Sequence, residues 1–135
     1  MSFEEIPHTA DVKIHVSAPT LEDLFSETFT ALMQVMYGTE RGGVIARNIR
    51  VTSTDKESLL ADFLSETLFL SEVDGLVFSD ARIRIKGLSL TAELKGEVFD
   101  PLRHSAGTEV KGISYSGLEI VHDENGYKVD IIFDV

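Results

Sequence analysis

Two stretches of helical periodicity lie in the first part of this chain, and from Leu76 onward the apolar residues follow strand spacing only. An alternating segment, Val12–Ala18, precedes the first stretch, and another at residues 43–53 separates the two. Helices that are segregated from a long series of strands are typical of α+β domains. The element order therefore predicts one α+β domain over residues 1–135, with two helices packed on a largely antiparallel sheet.

Both predicted helices carry start and stop signals. Thr20 followed by Asp23 resembles a capping box in which Asp replaces Glu or Gln, and Gly38 is suited to end the first helix. Ser53-Thr54-Asp55 offers caps for the second helix, which we expect to end near Asp74-Gly75. The stripes expected to face the core are Leu21, Leu24, Phe25, Phe29, Leu32 and Met36, then Leu60, Phe63, Leu64, Thr67, Leu68 and Leu70.

The second half of the chain predicts two hairpins. Gly87 separates two strand patterns at residues 77–86 and 88–98, and Asp123-Glu124-Asn125-Gly126 separates two more at residues 109–122 and 127–135. Asn-Gly is the strongest short-range hairpin signal, so we expect a tight turn there. Residues 99–107 form the one loop long enough to hold a function.

Composition excludes several classes of protein. The chain has no cysteine, which rules out disulfides, thiolate zinc sites and a cysteine nucleophile. It has no apolar run that could cross a bilayer and no signal peptide, so we expect a cytoplasmic protein with no membrane association. The net charge of −11 argues against direct binding of nucleic acid, and the basic stretch 82–86 reads as the solvated face of a strand.

Acidic residues follow strand-like segments near both ends of the chain. Asp11 comes after a short turn, and Asp134 lies beyond the alternating run at residues 127–133. If the terminal strands pair, these carboxylates and the terminal oxygens of Val135 would meet in one site whose hard ligands suit Ca²⁺, Mg²⁺ or Mn²⁺. The alternative is that Asp11 caps a turn and Asp134 is merely solvated.

Four further residues are candidates for function. His8 stands three residues before Asp11, although a turn-stabilising role is the plainer interpretation. Asp62 and Glu66 share one face of the second helix, where they could meet a cation or a basic partner or simply be solvated. Lys111 lies in an apolar run, and we expect it in a central strand as a base, a charge partner or a structural ion pair. No zinc-enzyme motif and no nucleotide-binding loop accompanies them.

Several motifs together resemble the archease family, collinearly and over essentially the whole chain. They are His8-Thr9-Ala10-Asp11, Thr20-Leu21-Glu22-Asp23-Leu24-Phe25, Leu59-Leu60 with Phe63-Leu64-Ser65-Glu66, Glu109-Val110-Lys111-Gly112-Ile113-Ser114-Tyr115 and Phe133-Asp134-Val135. The sequence departs from the family at Gly112, Ser114 and Val135, where Ala, Thr and Ile are usual. None of these three departures changes a carboxylate or the lysine.

The resemblance implies a small acidic protein cofactor with a fold of strand-helix-strand-strand modules. Archeases promote guanylylation and turnover of the RtcB-type, GTP-dependent tRNA-splicing RNA ligase, so no catalytic residue of this chain's own is expected. The family's metal site corresponds to Asp11, Asp134 and Val135, with calcium as the first choice and magnesium or manganese as alternatives. Lys111 matches the family's functional lysine, and we expect His8 and Glu66 to help it in contacting the partner.

Two other functions remain open at this stage. Archeases have also been discussed as chaperones or specificity modulators of tRNA-modifying enzymes such as tRNA methyltransferases. In that case the carboxylates would serve solubility. A metal-dependent hydrolase would use the same carboxylates, but the sequence offers no evident general base for it.

Overall fold

The structure is a computed structural model that describes residues 11–104 and 107–135. The described part has the expected α+β composition, with two helices that alternate with the first strands and a series of strands that follows them. The elements are β1 Asp11–Ala18, α1 Leu21–Tyr37, β2 Ile45–Thr52, α2 Lys56–Asp74, β3 Leu76–Lys86, β4 Ser89–Val98, β5 Gly112–Ile113, β6 Ile120–Asp123 and β7 Gly126–Asp134.

The strands divide into two antiparallel sheets. One sheet has four strands, in which β7 is flanked by β1 on one edge and by β5 and β6 on the other. The other sheet has three strands in the order β2-β4-β3. The predicted pairing of the terminal strands is therefore confirmed, since β1 and β7 are direct neighbours.

Both helices begin where their caps predict. The Thr20 hydroxyl accepts a hydrogen bond from the Asp23 N–H (3.1 Å), and the Asp55 carboxylate accepts one from the Ser58 N–H (2.7 Å). Gly75 ends α2 in the left-handed conformation, at φ 64°, which glycine adopts without strain. The sequence signals at both ends of α2 are thus confirmed.

One continuous core joins the two sheets through the helices. α1 contacts β1, β7 and β3, and α2 contacts β5 as well as all three strands of the smaller sheet. Phe63 of α2 lies beside Phe25 and Phe29 of α1, with ring centroids 6.2 and 6.4 Å apart. Neither sheet buries its apolar face alone, so we expect the two to fold together.

The region from Glu109 to His122 is not the single strand that the apolar pattern predicts. Only residues 112–113 and 120–123 are strands there, and a turn at Ser116-Gly117 interrupts the pattern. Gly117 has φ 69°, a conformation in which the chain leaves the sheet. β5 is therefore only two residues long, and it pairs with the last two residues of β7.

The predicted hairpin with its turn at residues 123–126 is confirmed, and Glu124 and Asn125 are the central residues of the turn. Gly126 is the first residue of β7 and pairs with Asp123. It has φ 120°, and a Cβ atom there would lie 2.4 Å from the Ala18 carbonyl oxygen. Glycine is therefore required at this position by the close approach of β1.

Candidate functional site

The pairing of β1 with β7 sets two carboxylates directly opposite each other. Asp11 is the cross-strand partner of Asp134, and both side chains are exposed. Directly opposed residues in an antiparallel pair point to the same face, with Cβ atoms roughly 4.5–5.5 Å apart. The sequence predicts this meeting of the chain ends, and the register of the strands confirms it.

Buried neighbours hold Asp11 and Asp134, which we call the acidic pair, in place. Val12, next to Asp11, and Phe133, next to Asp134, are themselves cross-strand partners. Phe133 is fully buried, and Val12 packs against the core. Val135 is half-buried and also packs against the core. The strands therefore hold the two carboxylates and the main chain of Val135 at one end of the four-stranded sheet.

The acidic pair lacks the favourable energy that opposed residues usually contribute. Like charges directly opposite each other in a sheet are destabilising, by an amount comparable to the roughly 0.2–1 kcal/mol that good cross-strand pairs contribute. No ion pair joins either carboxylate to a basic side chain in residues 11–104 and 107–135. A bound cation would turn this local repulsion into a favourable interaction.

The donors at this site fit a hard cation better than a transition metal. Carboxylate and main-chain oxygens suit Ca²⁺, Mg²⁺ and Mn²⁺, whereas tetrahedral zinc sites usually include His or Cys. Across the described ranges, no cluster of three or more His, Cys, Asp or Glu side chains could hold a metal ion. Asp11 and Asp134 would therefore need oxygens from Val135 and from water to complete a coordination shell.

Lys111 lies beside the acidic pair through its backbone rather than in a central strand. Its N–H donates a hydrogen bond to the Asp134 carbonyl oxygen (2.7 Å), and the residue is exposed and directly precedes β5. The prediction of a central strand position is wrong, because β5 lies at the edge of the sheet and its pairing with β7 begins only at Gly112. The structure nevertheless brings Lys111, Asp11 and Asp134 to the same end of one sheet.

Gly112 leaves the face of Asp134 open. It pairs with Asp134 on the side away from Asp11, so the row across three strands reads Asp11, Asp134, Gly112. A Cβ atom at Gly112 would lie 3.6 Å from the Asp134 Oδ2 atom, an ordinary van der Waals contact. Glycine here gives the carboxylate slightly more solvent access than alanine would.

Asp62 and Glu66, the two candidate residues of α2, have different surroundings, and neither joins the acidic pair in a cluster. Asp62 is half-buried and accepts hydrogen bonds from the Ser53 hydroxyl (2.7 Å) and the Tyr115 hydroxyl. The bond to Asp62 raises the pKa of Tyr115 to about 12. Glu66 is exposed one turn later, beside a shallow groove of about 420 Å³ that Arg50 also lines. His8 lies outside the described residues.

A polar cluster at the start of the 99–107 loop has no signal in the sequence. Glu97 accepts hydrogen bonds from Arg103 Nη1 (2.5 Å), the Gly42 N–H (2.8 Å) and His104 Nε2 (3.1 Å). The Arg103 bond is the main reason why the pKa of Glu97 falls to about 2. His104 is buried, and its Nδ1 accepts from the Asp100 N–H (2.9 Å), which fixes the proton on Nε2.

This cluster fixes the loop rather than forming a reaction centre. Every polar atom of the His104 ring has a partner within the loop or on Glu97, so no lone pair is left for a substrate. Phe99 and Tyr37 pack around the imidazole, with centroids 5.9 and 6.4 Å from it. The prediction that this loop can hold a function thus gains no support from its described residues.

No helix in the described ranges is long and apolar enough to cross a membrane.

Known proteins resemble this chain along most of its length. The model of the Archease protein family (MTH1598/TM1083) matches residues 3–135. The Protein archease of Methanosarcina barkeri is 37% identical over 139 residues, which cover 98% of this chain and 95% of that protein. The Protein archease of Pyrococcus furiosus is 36% identical over 123 residues, which cover 87% of each chain.

Solved structures share the fold. The solution structure of Methanobacterium thermoautotrophicum protein 1598 superposes with a TM-score of 0.81 at 28% identity and covers 98% of this chain and 96% of that one. The crystal structure of a Thermotoga maritima archease, described as a possible chaperone, has a TM-score of 0.69 at 21% identity, with coverage of 98% and 97%. The second likeness bears on the fold alone.

Proposed function

Because the chain belongs to the archease family, we propose that it is a protein cofactor of the RtcB-type, GTP-dependent RNA ligase of tRNA splicing. It promotes guanylylation of the ligase and its multiple turnover, and it has no catalytic activity of its own. The observation that supports this proposal best is the acidic pair Asp11–Asp134 beside Lys111, because it unites three residues that the family motifs single out.

In this proposal the acidic pair holds one divalent cation, with calcium as the first choice and magnesium or manganese as alternatives. Asp11, Asp134 and an oxygen of Val135 supply the protein ligands, and water completes the shell. The cation supplies positive charge at this end of the sheet. The chain's own residues then orient the docked partner: Lys111 offers a cation beside the two carboxylates, and His8 and Glu66 add contacts.

Charge complementarity explains how such a protein would find its partner. The chain carries a net charge of −11, and a ligase that grips RNA must present basic surface. Opposite charges steer association and suppress wrong partners more than they add affinity. We therefore expect fast, salt-sensitive docking, with the acidic pair near the contact.

A chaperone or specificity modulator of a tRNA-modifying enzyme, such as a tRNA methyltransferase, is the second candidate. Exposed apolar residues at the end of α2 favour it: Phe69 and Val73 share a helix face and are 57% and 63% exposed. Val98 and Phe99 lie near that end, because the Phe99 N–H bonds to the Gly75 carbonyl oxygen (2.9 Å). Apolar surface of this kind can hold a client protein.

Titration against the ligase separates the two candidates. RNA ends are joined by the cognate ligase with GTP and metal, while this protein is varied from far below one equivalent upward. An activator produces many turnovers per copy at low stoichiometry, whereas a holdase is needed at roughly one copy per client. Protection from aggregation without any gain in GMP transfer would favour the chaperone.

Matched variants test the assigned residues. Asp11→Asn and Asp134→Asn keep side-chain shape while removing charge, and Lys111→Gln removes the cation. Each is expected to lose the stimulation while keeping its circular dichroism spectrum. Asp130→Asn is the control, since Asp130 lies on the same strand and face as Asp134 but pairs with His15. Full stimulation by the Asp11 and Asp134 variants would remove the acidic pair from the mechanism.

A further inference from the structure

The three-stranded sheet turns a row of basic side chains toward solvent. Its core face buries alternate residues of β2 and β4, so the residues between them form the outer face. Arg50 lies opposite Thr91, and Thr91 lies opposite Arg84; Glu93 and Arg82 are partners in the next row. We call this surface the basic face and define it by its basic residues, Arg50, Arg82, Arg84, Lys86 and Lys95.

The charge of the basic face is only partly compensated. Its five basic groups share the outer positions with three carboxylates, Asp80, Glu93 and Glu97, on a chain whose net charge is −11. Asp80 and Glu93 lie opposite Lys95 and Arg82, and Glu97 already bonds Arg103. In residues 11–104 and 107–135, none of the five forms an ion pair with a carboxylate. Arg50 and Arg84 both lie opposite Thr91 rather than a carboxylate, and guanidinium groups held in this way on a rigid sheet are suited to bind an anion.

The surface also has a shape that can receive a ligand. A shallow depression of about 410 Å³ is lined by Arg50, Arg82 and Arg84 together with Asn48 and Thr91. Arginine, asparagine and threonine side chains are the usual donors to phosphate oxygens in protein–nucleic acid contacts. Glu93 also lines the depression and opposes an anion there.

We propose that the basic face binds the phosphate backbone of a nucleic-acid strand. The net charge argues against this at long range, but at physiological salt the field of distant carboxylates is screened beyond about 8 Å. Contacts within the depression are much shorter than that. The basic surface is not evident in the sequence, because only the fold places Arg50 of β2 and Lys95 of β4 beside the basic stretch of β3.

The absence of apolar anchors favours nucleic acid over an acidic protein. None of the large exposed apolar residues of the described ranges stands at an outer position of β2, β3 or β4. Protein interfaces gain most of their affinity from buried aromatic and apolar anchors, whereas phosphate contacts need none. The face has no aromatic residue on which bases could stack, so binding is expected to be independent of base sequence.

Fluorescence anisotropy with the full chain and no ligase tests the proposal independently of the proposed function. The probe is an unstructured RNA of about 20 nucleotides, titrated at several salt concentrations. The triple variant Arg50→Gln, Arg82→Gln, Arg84→Gln is expected to bind at least tenfold more weakly. Its salt slope should fall by about 2, because each lost contact to a single strand removes about 0.7.

A control variant separates the basic face from total charge. Lys13→Gln, Lys56→Gln, Lys128→Gln removes the same number of charges from exposed positions elsewhere and should bind RNA within about threefold of wild type. Equal losses in the two triple variants would overturn the assignment to this face. Absence of RNA binding by the wild type in low salt would overturn the proposal altogether.

Two further arms keep the test decisive if the triple variant does not fold. Glu93→Gln removes the opposing carboxylate and should tighten RNA binding severalfold, so weaker binding counts against the proposal. A DNA strand of the same length should bind about as well as RNA, since the backbone is what the face contacts. Tighter binding of a polyglutamate peptide than of RNA would replace nucleic acid by an acidic protein segment.

Discussion

The outer faces of the two sheets carry different charge patterns, although both sheets cover one core. On the four-stranded sheet, β1 and β7 expose Asp11, Asp130 and Asp134 among two lysines. On the three-stranded sheet, the basic face carries five cations and three carboxylates. A net charge of −11 averages over these differences, so it describes neither surface well. Charge must be counted by face before it is used to infer a partner.

The two sheets share one core and are therefore expected to fold as one unit. Phe133→Ala beneath the acidic pair and Leu90→Ala beneath the basic face each remove a fully buried side chain. We expect each to lower the free energy of unfolding by about 2–5 kcal/mol, through lost burial and the cavity that remains. Urea unfolding followed by circular dichroism should give one transition in both. Two separate transitions would mean that the sheets are independent units.

Calcium should stabilise the protein through the acidic pair. Without metal, Asp134→Asn is expected to be more stable than wild type by up to about 1 kcal/mol, because it removes the repulsion with Asp11. With calcium at about 100 times its dissociation constant, wild type should gain about 2.7 kcal/mol and the variant much less. Thermal unfolding with chelator and with calcium measures both. An equal response of the two proteins would remove the metal from the acidic pair.

Acid should weaken the three-stranded sheet through Glu97. Its pKa in the folded protein, about 2, is lower than its ordinary value near 4.5. A lowered pKa stabilises the fold above the ordinary value, and the contribution is lost as the pH falls from about 4.5 toward 2. Glu97→Gln should therefore be less stable than wild type at pH 7, with the difference shrinking at pH 3. A difference that is constant with pH would contradict the role of this carboxylate's charge.

The smallest effect is expected on the other sheet. His15 Nδ1 lies 2.5 Å from Asp130 Oδ1, which lowers the pKa of Asp130, but both side chains are more than half exposed. Exposed ion pairs contribute little, so Asp130→Asn should change stability only slightly, and less still in high salt. Chemical unfolding at two salt concentrations tests this. If Asp130→Asn lowered stability as much as Glu97→Gln does, the expected difference between these two carboxylates would be wrong.

Local patterns predict much of this fold. The stripe of α1, the cap residues Thr20 and Asp55, and the hairpin at Gly87 all follow from periodicity and turn chemistry, which act over a few residues. The opposition of Asp11 and Asp134 follows from the acidic residues at the ends of two paired strands. Features that arise from local periodicity and turn chemistry can thus be predicted from the sequence alone.

The failures come from contacts between distant segments. The exposed position of Lys111 depends on the pairing of β5 with the end of β7, and the need for glycine at position 126 depends on the approach of Ala18. The Glu97–His104 cluster likewise joins three separate stretches of chain. The division of the strands into two sheets depends on which strand pairs with β7 and which with β4. No local periodicity encodes that choice.

The pairing of β1 with β7 also has a consequence for folding kinetics. His15 and Asp130 are neighbours in space but 115 residues apart in sequence, so closing this strand pair requires a long loop to be ordered. Contacts of such high sequence separation form slowly, and during synthesis β1 emerges from the ribosome long before its partner strand exists. The carboxylates of Asp11 and Asp134 therefore come together only late in folding, and a nascent chain that lacks β7 has no acidic pair.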